Sequence, residues 1–161
     1  MENSANISGD WIKELIRDFI TTSPHNTMRN ETEEPAWEDA LIGFASGGDP
    51  IWQQYKEYVG AFNWTPWEAY NQHRPEESAG SEELTVVSWV LPQREAVRKA
   101  NRRTKKYPAE EWARIRVYGE EFNVALRRHV AKSLKQVGLA AIAPMLVYNW
   151  TIVKSERFSY A

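Results

Sequence analysis

The chain has 161 residues, 42% of them hydrophobic and 26% charged, a balance that suits one globular domain and excludes a disordered chain. Its 20 basic and 22 acidic residues leave a net charge of −2, so a polyanion could be met only through a local basic patch. Cysteine is absent, which excludes disulfides, thiol catalysis and cysteine-held zinc or iron–sulfur clusters within the chain.

The first predicted element is a helix over residues 11–21. Trp11, Ile12, Leu15, Ile16, Phe19 and Ile20 recur at helical spacing, with Asp10 as the expected N-cap and Ser23-Pro24 as the stop. Residues 24–35 read as a polar loop. The stretch 31–39 holds Glu31, Glu33, Glu34, Glu38 and Asp39 with no base among them.

Residues 40–45 read as a short buried strand. The turn 46–50, Ser-Gly-Gly-Asp-Pro, leads into a helix that begins at Pro50 and ends at Gly60. A turn between a strand and a helix is where a phosphate cradle belongs. The wording matches no glycine-rich phosphate motif, and an ordinary tight turn capped by Asp49 is the simpler reading. Thr65-Pro66-Trp67-Glu68 predicts a capping box opening a helix to about Gln72.

Residues 84–91 give the clearest strand. The run is β-branched and stopped by Pro92, and its apolar character suggests burial on both faces. The segment 94–106 holds Arg94, Arg98, Lys99, Arg102, Arg103, Lys105 and Lys106 against Glu95 alone. Arg98, Arg102 and Arg103 are the candidates there for phosphate or RNA contact. The alternative is a solvated face that balances the acidic stretch 31–39.

The longest predicted helix covers 108–137. Trp112, Ile115, Gly119, Phe122, Leu126, Val130, Ser133 and Val137 form its stripe, and Gly138 stands at the C′ position. Residues 139–147 then read as a third strand, and 148–154 as a fourth at the edge. Strands alternating with helices predict an α/β fold: a small, mostly parallel, three-layer sheet of three to four strands with the 108–137 helix packed across it. The expected organisation is a single α/β module over residues 1–161.

No catalytic or metal-ligating constellation emerges. His25, His73 and His129 are scattered and none has a second ligand at helical spacing. Trp37, Trp52, Trp64 and Trp67 cluster in sequence; they suit a pocket for a flat ligand or a cover for the core of a small sheet. The N-terminus has no apolar signal segment, and the apolar run 139–147 is too short to span a bilayer. A cytoplasmic protein without a membrane partner is expected.

Three stretches carry a resemblance. They are Ala40-Leu-Ile-Gly-Phe-Ala-Ser-Gly-Gly-Asp-Pro-Ile-Trp-Gln-Gln-Tyr-Lys56, Gly60-Ala-Phe-Asn-Trp-Thr-Pro-Trp-Glu-Ala69 and Thr85-Val-Val-Ser-Trp-Val-Leu-Pro92 with the helix that follows. Together they resemble the N-terminal part of iron–sulfur proteins related to epoxyqueuosine reductase, especially a branch found in anaerobes. The resemblance runs from about Trp11 to Ala161. It implies a fold distantly similar to the cobalamin-binding core of reductive dehalogenases. It also implies a partner, a cysteine-rich domain or subunit holding [4Fe–4S] clusters, which is missing from this sequence.

In that family the clusters pass electrons to cobalamin, and an epoxide oxygen is removed from a modified tRNA nucleoside. The family's Tyr-x-x-Gly-Arg-Asp-Tyr-His stretch faces the cofactor. Its counterpart here is Val117-Tyr118-Gly119-Glu120-Glu121-Phe122-Asn123. Gly119 and the aromatic Phe122 match. Glu120 replaces the Arg, Glu121 stands at the Asp, and Asn123 replaces the His. By resemblance, Tyr118, Gly119, Phe122 and Asn123 are the candidate cofactor-facing residues, with cobalamin the implied cofactor and tRNA an implied contact. The expected function is that of a cofactor- or substrate-side module of such an oxidoreductase, not redox-active alone. The alternative is a stand-alone binding module that kept the fold and lost the chemistry. An open groove beside Gly119 would favour the first, a closed surface the second.

Overall fold

The computed structural model describes residues 7–147 and the backbone of two short strands, Val153–Lys154 and Ser159–Tyr160. Its elements are α1 (Gly9–Thr22), β1 (Leu41–Ser46), α2 (Ile51–Tyr58), α3 (Pro66–His73), β2 (Thr85–Val90), α4 (Glu95–Arg103), α5 (Glu110–Arg114), α6 (Glu120–Gln136), β3 (Val153–Lys154) and β4 (Ser159–Tyr160). A π-turn, Ile115–Gly119, joins α5 to α6.

The expected α/β sheet is not formed. β1 and β2 make a two-stranded antiparallel sheet, and the remainder of the described chain is mainly helical. Residues 139–147 form no strand; they hold a short 3-10 turn, Pro144–Leu146. Pro144 opens that turn, and a proline cannot donate to a ladder. Leu139 and Met145 lie exposed. Of the expected edge 148–154, residues 148–152 lie outside the described residues, and Val153–Lys154 pairs antiparallel with Ser159–Tyr160.

The expected long helix is a broken run, α5, the π-turn and α6, covering 110–136, and the described residues form no parallel sheet for it to pack across. β2 is also not buried on both faces. Thr85, Ser88 and Val90 are exposed, and Val86, Val87 and Trp89 are half-buried.

The chain divides into two compact units, residues 1–42 with 89–133, and residues 43–88 with 134–161. In the first, α1 begins at Ser8, not Asp10. Ser8 is extended and its hydroxyl accepts from the Trp11 N–H at 3.2 Å, as an N-cap must. Asp10 sits in the first turn and pairs with Lys13 at 2.8 Å. Ile12, Ile16 and Ile20 form the buried stripe of α1. Phe19 packs on Phe122 at 5.6 Å and stacks on His129 at 4.4 Å, which brings α1 against α6. Phe122 and Leu126 are fully buried. Met28, Ala36, Val97 and Ile115 form a second cluster beneath Trp37 and Trp112.

In the second unit the capping box forms as expected. The Thr65 hydroxyl accepts from the Glu68 N–H, and the Glu68 carboxylate accepts from the Thr65 N–H at 2.7 Å. Lys56 of α2 pairs with the same carboxylate. The Asn71 side chain fastens the following loop, donating to the Ala79 carbonyl and accepting from the Ala79 N–H. α6 ends in a Schellman turn. Leu139 donates to the Leu134 carbonyl, Gly138 donates to Lys135, and Gly138 has φ +83°.

Candidate functional site

Trp37 fixes the geometry around the π-turn. It lies within the acidic stretch 31–39, and Asn26 pins its backbone: the Asn26 side chain accepts from the Trp37 N–H and donates to its carbonyl. The Trp37 indole N–H donates to the Gly119 carbonyl at 3.0 Å. Its ring lies so close that a Cβ on Gly119 would sit 2.7 Å from Cζ2. The wider π-turn and the missing side chain together let the indole reach the helix backbone.

This settles the space beside Gly119. The expected cofactor-facing set does not share one open face. Gly119 is buried under Trp37. Phe122 is fully buried beside Phe19. Tyr118 carries the Arg29 guanidinium over its ring at 4.4 Å. Only Asn123 reaches an opening. A corrin ring has no face to approach at Gly119, so these residues do not fit cobalamin, and the glycine is a packing device for Trp37.

The opening lies next to that contact. A cleft of about 180 Å³ is lined by Trp37, Trp89, Gln93, Arg116, Glu120 and Asn123, with Leu91 and Ile115 adding apolar wall. All belong to the first unit. The Trp89 indole N–H donates to Asn123 Oδ1 at 3.0 Å. Asn123 in turn donates to Glu120 at 3.3 Å, and Arg127 donates to the other Glu120 oxygen at 2.8 Å. The Glu120 charge is thereby matched by Arg127. Arg116 is exposed and makes no ion pair among the described residues. An isolated Trp37–Gln93 bridge closes one side. Sequence reasoning singles out Asn123 but misses Arg116, Gln93 and Trp89. The alternation of β2 places Trp89 on a face, but nothing local in the sequence says that Asn123 meets it.

The basic segment becomes α4 and the loop after it. Val97 is its buried residue. Arg98, Arg102, Arg103, Lys105 and Lys106 are exposed and have no carboxylate partner among the described residues, whereas Lys99 pairs with Glu95. Tyr107, 71% exposed, lies under the Lys106 ammonium. Arg94 alone serves the expected balance with the acidic stretch. It pairs with Glu34 at 2.7 Å, and its guanidinium, followed by the Asn30 amide, holds that carboxyl below the usual range. Asp39 is matched by Arg17 instead.

The glycine turn of the second unit is no phosphate cradle. The Gly47 N–H donates to the Leu84 carbonyl at 2.7 Å, and the Gly48 N–H donates to the Ser46 hydroxyl. The Glu82 carboxylate lies against Gly48, where it would repel an anion. The Asp49 side chain accepts from the Ile51 N–H at 2.9 Å, so it does serve the helix start. The clustered tryptophans separate. Trp37 belongs to the first unit; in the second, Trp52 donates to the Ser46 carbonyl, Trp64 packs on His73, and Trp67 is exposed.

Among the described residues no group of His, Asp and Glu side chains is placed to hold a metal ion, and no helix is long and apolar enough to cross a membrane. No protein-family model, curated protein or solved structure matches the chain.

Proposed function

We propose that this chain is the substrate-side module of an iron–sulfur oxidoreductase similar to epoxyqueuosine reductase. It has no redox activity of its own, meets tRNA through α4, and works with a cysteine-rich domain or subunit that holds the clusters. The observation that carries the reading is that Arg98, Arg102 and Arg103 are exposed and have no carboxylate partner among the described residues, on a helix that begins soon after the cleft-lining Gln93. Phosphates are met by such cations, and an adjoining exposed aromatic such as Tyr107 suits an unpaired base. A second support is that the third stretch behind the resemblance meets the counterpart of the family motif: the Trp89 indole of β2 donates to Asn123 of α6.

The closed contact of Trp37 on Gly119 favours a second reading, an interaction module that kept the fold without the chemistry. Titration of the chain with tRNA in a mobility-shift assay separates the two. The first reading expects binding at low salt that the combined variant Arg98→Gln, Arg102→Gln, Arg103→Gln loses. Absence of binding, or equal binding by the variant, sinks it and leaves the second.

A further inference from the structure

We infer that the cleft beside the π-turn binds a small planar carboxylate, one aromatic ring wide. The inference deepens the substrate-side reading by giving a ligand chemistry to a place that reading leaves empty. Size comes first. The cleft measures about 180 Å³, and a cavity of about 150 Å³ takes one benzene ring. Larger cofactors need roughly 300–1,000 Å³.

The walls decide shape. Two indoles, Trp37 and Trp89, line the cleft, and aromatic walls favour a flat guest. Both indole N–H groups are already spent, on the Gly119 carbonyl and on Asn123. They therefore bring no unmet donor to the cleft.

Charge decides the polar end. Glu120 is bonded by Arg127 and Asn123, so it does not call for a cation. Arg116 lines the same cleft and has no carboxylate among the described residues. Gln93 also lines it, and its side chain makes no hydrogen bond among the described residues. A guanidinium offers two parallel donors to a carboxylate, and a carboxamide offers a third. The π-turn runs through Arg116 and places it one turn before Glu120 and about two turns before Asn123, all three lining the cleft. Such turns recur where a helix is shaped for a ligand.

The test uses the full chain with benzoate, benzamide as the uncharged isostere, and benzylamine as the cation. Binding is read by the indole N–H resonances of Trp37 and Trp89, assigned by Trp37→Phe and Trp89→Phe, at ligand concentrations up to about 10 mM. Benzoate should shift both resonances saturably, and benzamide should bind about tenfold more weakly. Arg116→Gln should remove the preference for benzoate while leaving the melting temperature unchanged, and Arg98→Gln should leave the preference intact. The inference is overturned if benzoate does not bind, if benzamide or benzylamine binds as well, or if Arg116→Gln keeps the preference. No tRNA is present, so this titration fails independently of the tRNA reading.

Discussion

The indole N–H of Trp37 donates to the carbonyl of Gly119 at 3.0 Å, with the ring filling the space where any other residue would carry its Cβ. The bond ties the loop before β1 to the helix at the end of its π-turn. Gly119→Ala therefore sets two effects against each other. Alanine gains about 1 kcal/mol of helix propensity. Its Cβ at 2.7 Å from the indole forces the ring away, and overpacking of this kind costs about 1–3 kcal/mol, besides the broken bond. A net loss of about 1 kcal/mol in urea unfolding is expected. Equal or higher stability would show that Trp37 yields freely.

Gly138 needs its missing side chain for another reason. Nothing lies within 4 Å of a Cβ built there, but its φ is +83°. Gly138→Ala should cost about 1 kcal/mol through the backbone alone. Gly138→Asn should cost less, because Asn tolerates the left-handed region better. If Asn and Ala prove equal, the Schellman turn is not what holds the end of α6.

Thr65 and Glu68 give a prediction with a pH signature. Thr65→Ala removes one half of the capping box and should cost about 1 kcal/mol. Burial pushes the Glu68 carboxyl upward, but the bonds from Lys56 and Thr65 outweigh it and hold the pKa below the usual range. A depressed folded pKa means the contribution is full above the unfolded value of 4.5 and fades as pH falls through the folded one. Glu68→Gln keeps an acceptor for the Thr65 N–H and loses the charge. Its stability should decline less steeply than wild type below pH 4.5. Parallel acid unfolding curves would contradict the assignment.

His129 is stacked on Phe19 and half-buried. Burial, helped by Lys132, holds its pKa below 6.5. The unfolded chain then binds the extra proton more readily, so this group's contribution is full above pH 6.5 and is lost as pH falls through the folded pKa. An NMR titration of the ring should find a midpoint below 6.5 that rises in Lys132→Gln. A midpoint above that value would mean that the ring is not packed as described.

Local chemistry is legible in the sequence, and direction is not. The Thr65–Glu68 box and the Gly138 turn each depend on residues a few positions apart, and both form. The α1 stripe is equally plain, although its cap falls two residues earlier than expected, at Ser8. Two strands separated by helices suit a parallel crossover, but β1 and β2 instead meet antiparallel across the excursion 47–84. Nothing in the apolar runs distinguishes these outcomes. The run 139–147 suits a strand on hydrophobicity alone, yet it is rich in alanine, which strands disfavour.

At the site, the glycine on the helical stripe does mark a place of close approach. What approaches Gly119 is Trp37, 82 residues earlier in the chain, and a contact that distant leaves no periodic mark. The cleft escapes sequence reasoning for the same reason, since Trp89, Arg116 and Asn123 come from different elements.

The central claim is that α4 presents its cations to a phosphate backbone, and salt dependence tests it most directly. Affinity for tRNA should fall linearly on a logarithmic scale as salt rises. The combined variant Arg98→Gln, Arg102→Gln, Arg103→Gln should flatten that slope by about 2 to 3, close to one unit for each phosphate no longer neutralised. An unchanged slope in the variant, or no measurable affinity for tRNA even at low salt, would contradict the account.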